Sequence, residues 1–482
     1  MMRAAFIVLA AALALLPQGP LESRSAEGFA LQERSVEDGA FHALEGVIAD
    51  ARRAPPEFEA DALIRIAQSP RLDKGRRRDI LNDAFMRAYA AQDPYRRVSY
   101  ALPPDSRQGV EALAFDSRLT RVSLQVRATQ MMAFVDPPRA RELFEWIDPG
   151  IGATRCEEAL VPGIAEYYTA LSTLARTTFA ASRRADAIRF LELYLWRAHL
   201  PVEMPAIATA VLRFASRYDE AAYFETVLRL ILENGGRDPR GFSVAGTDVI
   251  ARFAELEDRD RELGITGWHL LHAVRAYMAA QTTGPRCADS PTESLAVEAF
   301  NARVRRTRAM DEGVRLLDIA SVRPSALLPP ARIDRYWQTA DARRLREDFL
   351  RLRGRDRNPV PLRIRLTKEW REEADHLITN LEHWTGSREP ADRDYFFQKG
   401  FLFTDLIALM PQSPARERAI QSLIGFLRHA DVDRLRRTAW FLVAGRLLEF
   451  ARGPDRVFVI DAMESTHHPI LALYARLERA GL

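Results

Sequence analysis

The stretch from Leu366 to Thr385 carries the densest set of side chains able to do chemistry. At helical spacing, Glu369, Glu373, His376, Asn380 and His383 fall on one stripe. A row of carboxylates and imidazoles can hold a metal ion, or share a proton between a general acid and a general base. The other stripe, Trp370, Ala374, Leu377, Ile378, Leu381 and Trp384, is apolar. An amphipathic surface helix has a polar face of this kind, so solvation accounts for the row as readily as catalysis does.

Other spacings are thinner. Glu373-x-x-His376 matches half of a carboxylate-bridged di-iron site, and Glu464-x-x-His467 repeats it. Such a site needs two of these helices and a glutamate from each of two others. With nine histidines in the chain, chance supplies on the order of one such spacing. The second copy also runs into His468-Pro469, where a helix should end. His269 and His272 lie three apart beside Leu270, Val274, Tyr277 and Met278. With a third partner they would ligate zinc, but no His-Glu-x-x-His accompanies them, and packed helices carry such pairs for structural reasons. There is no phosphate-binding Gly-x-x-x-x-Gly-Lys-Ser/Thr loop, no Gly-x-Gly-x-x-Gly after a strand and no Gly-x-Ser-x-Gly elbow. No cofactor is implied.

Cys156 and Cys287 are the two cysteines of the chain. Each lies in a loop rich in Gly or Pro, or where such a loop enters a helix. A bridge between them would close a loop of roughly 130 residues and contribute somewhat more than the ~4.7 kcal/mol of a 100-residue loop. Two separate thiols, or a thiolate activated by a helix start beside Arg155 or Arg286, are the alternatives. The compartment favours the bridge. Met1-Met2-Arg3 is a short positive segment, Ala4–Leu16 is an unbroken apolar run, and Ser23-Arg24-Ser25 sets small residues before a cut at Ala26. That is a secretory signal pattern over residues 1–25. The run is shorter than the ~20 residues of a transmembrane helix. Export to a periplasmic or extracellular space is expected, and such spaces are oxidising.

Net charge is +3, and loss of Arg3 and Arg24 against Glu22 would leave about +2. That balance argues against nucleic acid as a partner, despite the clusters Arg76-Arg77-Arg78, Arg303/Arg305/Arg306/Arg308 and Arg434/Arg436/Arg437. Only Lys74, Lys368 and Lys399 are lysines. Arginine in place of lysine reads as the codon bias of a GC-rich genome before it reads as phosphate recognition.

Stepping along the chain, helical period recurs and strand alternation is nearly absent. The fold class is all-α, an irregular helical-hairpin array (an α-solenoid or toroid) of about 16–18 helices. Asp73 can cap a helix, and Pro137-Pro138 can open one. Phe115, Leu119, Val122 and Val126 are spaced for a single long helix. Further helices are expected at 219–234 and 363–385, and Thr438–Phe450, apolar nearly all round, is expected to be buried. Pro324, Pro329 and Pro330 place a linker at 311–330, between an N-terminal helical domain at 26–310 and a C-terminal one at 331–482.

Leu124, Ala128, Met131, Ala140 and Phe144 resemble one tetratricopeptide repeat, without its Trp and Gly and without recurrence at about 34 residues. Pro94-Tyr95-Arg96-Arg97, Phe115-Asp116-Ser117-Arg118-Leu119 and Arg286-Cys287-Ala288-Asp289-Ser290 resemble stretches of exported all-helical proteins of GC-rich bacteria. The resemblance implies an exported helical protein whose two cysteines pair, and implies no activity. The expected function is a non-enzymatic scaffold that presents a groove to a protein or peptide partner in the cell envelope. The alternative is an all-helical toroid enzyme on a polysaccharide or peptide, with Trp337, Trp370 and Trp384 as stacking platforms and Glu369, Glu373 and His376 as acid–base groups.

Overall fold

The computed structural model describes residues 44–91, 106–149, 164–198, 203–214, 228–229, 231–232, 242–262, 268–281, 286–287, 292–318, 327–328, 339–354, 360–386 and 392–482. The signal pattern at 1–25, Cys156, most of the 219–234 helix, Trp337 and residues 319–326 and 329–330 of the expected linker lie outside them. Residues 47–482 form one compact unit.

Among the described residues nineteen α-helices have defined bounds. The first eleven are α1 (Pro56–Ile66), α2 (Lys74–Ala88), α3 (Arg107–Asp116), α4 (Arg121–Val135), α5 (Pro137–Glu145), α6 (Ile164–Thr177), α7 (Arg184–Leu195), α8 (Met204–Phe214), α9 (Phe242–Glu262), α10 (Trp268–Gln281) and α11 (Thr292–Thr307). After the linker come α12 (Ala340–Arg353), the single turn α13 (Leu362–Arg365), α14 (Lys368–His383), α15 (Asp392–Leu409), α16 (Pro414–His429), α17 (Arg437–Phe450), α18 (Arg456–Ser465) and α19 (Pro469–Ala480). The strand pairing described is a two-residue parallel contact of Arg286 with Leu327 and of Cys287 with Leu328. The protein is all-helical. No described helix is long and apolar enough to cross a membrane.

Local chemistry sets the boundaries. Asp73 accepts from the Arg76 amide at 2.9 Å, and Asp136 caps α5 ahead of Pro137. Each satisfies an amide that the first helical turn leaves open. The single long helix expected through Phe115 and Val126 is two helices instead. Arg118 turns left-handed at φ 59°. Thr120 then caps α4 through the Ser123 amide. The apolar period runs across the break because Leu119 and Val122 are both buried, so spacing alone does not reveal it. The helix expected at 363–385 likewise divides at Thr367, which caps α14 through the Trp370 amide.

Packing runs stepwise through the first part of the unit. α2 packs on α4, α4 on α6, α6 on α8, α8 on α9 and α9 on α11. The later helices then return to the first ones, with α19 on α1 and α17 on α3. Phe58 of α1, Phe441 of α17 and Tyr474 of α19 form one aromatic cluster, with ring centroids 4.7–6.2 Å apart. Arg107 grips Asp394 through two hydrogen bonds of 2.8 and 2.7 Å. Helices from either side of the linker therefore share a core. α15 and α17 approach closely at Gly400, where a Cβ would sit 2.7 Å from Val443 Cγ1.

α1 also buries charge. Glu57 is 0 % exposed, and neither carboxyl oxygen has a hydrogen-bond partner. Arg437 Nη1 stands 3.5 Å from Oε2. Burial pushes this carboxyl above its ordinary 4.5, and its own backbone amide and Arg437 offset that only in part. A raised carboxyl holds its proton longer in the folded chain, so its penalty appears as pH climbs past 4.5. Glu57→Gln is expected to raise the urea midpoint at pH 7 and to leave it unchanged near pH 4. A lower midpoint for the variant at pH 7 would mean that the Arg437 contact outweighs burial.

Candidate functional site

The C-terminus of α14 leaves carbonyls that no intrahelical amide reaches. α15 supplies the missing donors one turn apart. Tyr395 Oη donates to the Trp384 carbonyl at 2.6 Å. Lys399 Nζ donates to the same carbonyl at 2.7 Å, to Tyr395 Oη at 3.0 Å and to the Glu382 carbonyl at 3.4 Å. Gly386, at φ 71°, lets the chain turn against Tyr395, whose ring would lie 2.7 Å from any Cβ there.

This corner opens into a cleft of about 530 Å³ between α15, α16 and residues 430–435. Phe396, Phe403, Phe426 and Leu435 line it, and Ser422, His429, Asp431 and Arg434 add polar groups. The volume falls within the ~300–1,000 Å³ of ligand sites. Lys399 is 6 % exposed in its wall. The ammonium stands 5.4 Å from the Tyr395 ring centroid and 5.2 Å from that of Phe426, within cation–π range. Burial lowers the amine to about 8, opposed in part by the Glu382 charge. Glu382 is itself engaged by the Arg418 guanidinium and the Ser422 hydroxyl. Burial alone would raise its carboxyl, but these bonds hold it below the ordinary 4.5. A second cavity, also about 530 Å³, lies against α16 and α18 and shares Gly425 and His429 with the first.

The acid–base stripe on α14 does not reach this cleft. Glu369, Glu373, His376 and His383 are all exposed. His383 Nδ1 sits 2.7 Å from its own helix's Thr379 carbonyl. The cause is the opposite stripe: Trp370, Ala374, Leu377, Ile378 and Leu381 are buried and turn the polar row outward. Trp370 is held by the Leu352 carbonyl at 3.1 Å. Trp384 packs edge-on against Tyr395 at 5.0 Å. As the His468-Pro469 pair implies, α18 stops at Ser465, and exposed His467 follows with φ 54°.

His272 is exposed, with Nε2 3.4 Å from the Glu312 carbonyl. The side chain of His269 lies outside the described residues. Among the described residues no group of three His, Cys, Asp or Glu side chains is placed to hold a metal. Cys287 pairs through its backbone with Leu328. Its side chain and all of Cys156 lie outside the described residues, and so does their pairing. One arginine of each cluster is engaged within the fold. Arg77 binds the carbonyls of Ser69 and Leu72, Arg303 binds Glu257 and Asp258, and Arg437 binds Asp433.

No protein-family model matches the chain, and neither a curated protein nor a solved structure matches it. The site therefore rests on its own chemistry. It combines an apolar, aromatic wall with one buried cation, and its polar groups are bound pairwise at the edges. For acid–base turnover, donors and acceptors must converge on a reacting atom. Sequence reasoning passed over Lys399. Its signal was there: one of three lysines in an arginine-rich chain, set within the aromatic run Tyr395-Phe396-Phe397 to Phe401-Leu402-Phe403.

Proposed function

We propose that the chain is an exported, non-catalytic helical scaffold that presents the α15–α16 cleft to a peptide or protein partner in the cell envelope. One observation carries this reading: an open pocket of about 530 Å³ lined by Phe396, Phe403 and Phe426. Aromatic walls bury large apolar area at small entropic cost, which suits the anchoring side chains of a partner. The export half of the reading rests on the N-terminal sequence pattern.

A photo-reactive benzoyl-phenylalanine at Ala430, on the cleft rim, tests it in the cell of origin. The control places the same group at Glu372, on the exposed face of α14. A discrete protein or peptide adduct from position 430, absent from position 372, is the expected result. Equal labelling from the two positions, or no adduct from position 430, would remove the cleft as the partner's seat.

A further inference from the structure

We propose that the cleft reads a free peptide C-terminus, with Lys399 taking the terminal carboxylate and the aromatic wall taking an apolar last side chain. The inference rests on the peptide-binding reading and narrows it to one ligand chemistry.

The Lys399 ammonium carries an unbalanced charge. Among the described residues no carboxylate stands within ion-pair distance of Lys399. The acid whose charge reaches it, Glu382, is already committed to Arg418 and Ser422. A buried ammonium without a counter-ion is costly, and an incoming anion relieves that cost. At pH 7 the amine, at about 8, is still charged. Its hydrogen bonds are also unequal. Those to Trp384 and Tyr395 are 2.7 and 3.0 Å, whereas that to the Glu382 carbonyl is 3.4 Å. The third lies beyond the usual N–H···O distance, so that proton is the one a ligand oxygen can draw away.

The surroundings select what carries the anion. Phe396 and Phe426 stack at 5.2 Å with 22° between their planes, forming an apolar face beside the ammonium. The other acid on the lining, Asp431, accepts from the Arg434 amide at 3.1 Å. A ligand must therefore bring an apolar group and a carboxylate close together. An internal aspartate or glutamate spends its side chain on the carboxylate and has nothing left for the aromatic face. A C-terminal residue offers both on one α-carbon. The volume of about 530 Å³ accommodates such a residue and the one before it.

The test is calorimetry on the full chain at pH 7 with three peptides. They are N-acetyl-Gly-Ala-Phe as the free acid, the same peptide as its C-terminal amide, and N-acetyl-Ala-Glu-Ala-amide. The acid is expected to bind about tenfold or more tighter than either amide, as a charge-assisted hydrogen bond requires. Lys399→Met should remove the difference between acid and amide and keep the affinity for the amide. Lys399 also caps α14, so the comparison on the unaltered chain decides the matter even if that variant unfolds. Equal binding of the acid and its amide would overturn the inference and leave the peptide reading standing. So would a glutamate peptide that binds as tightly as the acid. Binding by none of the three at about 1 mM would overturn the inference too, while crosslinking at position 430 would still decide the broader reading.

Discussion

Asp61→Asn is expected to lower the unfolding free energy by about 3–5 kcal/mol, the usual cost of breaking a buried ion pair from one side. Asp61 is 2 % exposed and ties three helices together. Its Oδ1 accepts from Arg127 of α4 at 2.7 Å. Its Oδ2 accepts from Arg65 of α1 at 2.9 Å and from the Tyr474 hydroxyl of α19 at 2.7 Å. Asparagine keeps the shape and removes the charge, leaving the largely buried Arg127 guanidinium without its partner and Arg65 with only Glu478 at 3.9 Å. Tyr474→Phe removes a single hydrogen bond to a charged group and should cost less, about 1.5–3 kcal/mol. Urea unfolding followed by circular dichroism at pH 7 measures both. A loss under about 1 kcal/mol for Asp61→Asn would show that the network does not hold α1 to α19.

The same carboxylate sets an acid limit. Burial would raise Asp61, but Arg127, Arg65 and Tyr474 together outweigh it and hold the carboxyl below its ordinary 3.8. A depressed carboxyl contributes its full stabilisation above 3.8 and loses it as pH falls through the folded value. The gap between wild type and Asp61→Asn should therefore narrow in acid. Glu57, four residues earlier on α1, has the opposite sign. One turn of helix thus carries one carboxyl that favours ionisation and one that resists it. The difference is the number of cationic and hydroxyl donors each meets.

Trp440→Ala should cost a similar ~3–5 kcal/mol, the range for emptying a buried aromatic site. Trp440 is fully buried in α17, and Nε1 donates to the Leu427 carbonyl of α16 at 3.3 Å. Its ring stacks on His468 at 5.2 Å. Burial, helped by the Arg428 charge, lowers that imidazole below its ordinary 6.5 and keeps it neutral. Neutrality is what its N-cap role needs, because Nδ1 accepts from the Leu471 amide at 3.4 Å. Removing the indole opens a cavity and loosens both the end of α16 and the start of α19. Since the end of α16 walls the cleft, the peptide affinity proposed for it should fall along with stability. Trp440→Phe refills most of the space and should recover most of both. Urea midpoints and calorimetry on the same samples check the pair, and an alanine variant as stable as wild type would contradict the packing described.

Much of the architecture was legible before any coordinates. The cap at Asp73, the helix start at Pro137, the buried character of 438–450 and the inward stripe of α14 all follow from side-chain period and turn chemistry, which act within four residues. The break at Arg118 was not legible, because α3 and α4 keep burying residues at helical spacing on both sides of it. The site was less legible still. A row of carboxylates and imidazoles draws attention in sequence, yet α14 turns it to water because the other side of that helix is more apolar. Lys399 looks unremarkable beside it.

What the sequence determined by itself is helical character. An α-helix closes its hydrogen bonds locally and shows its buried face as a period, so its signature is contiguous. Which charges would be buried was decided by tertiary structure alone. Glu57, Asp61, Arg303, Arg416 and Lys399 are as polar on paper as any surface residue, and all of them are buried. Their burial comes from helices distant in sequence, as when Tyr474 reaches Asp61 or Phe426 covers Lys399. The cleft arises the same way, from the end of α14, the flank of α15, the far turns of α16 and residues 430–435. No local pattern encodes a volume lined by four separate segments.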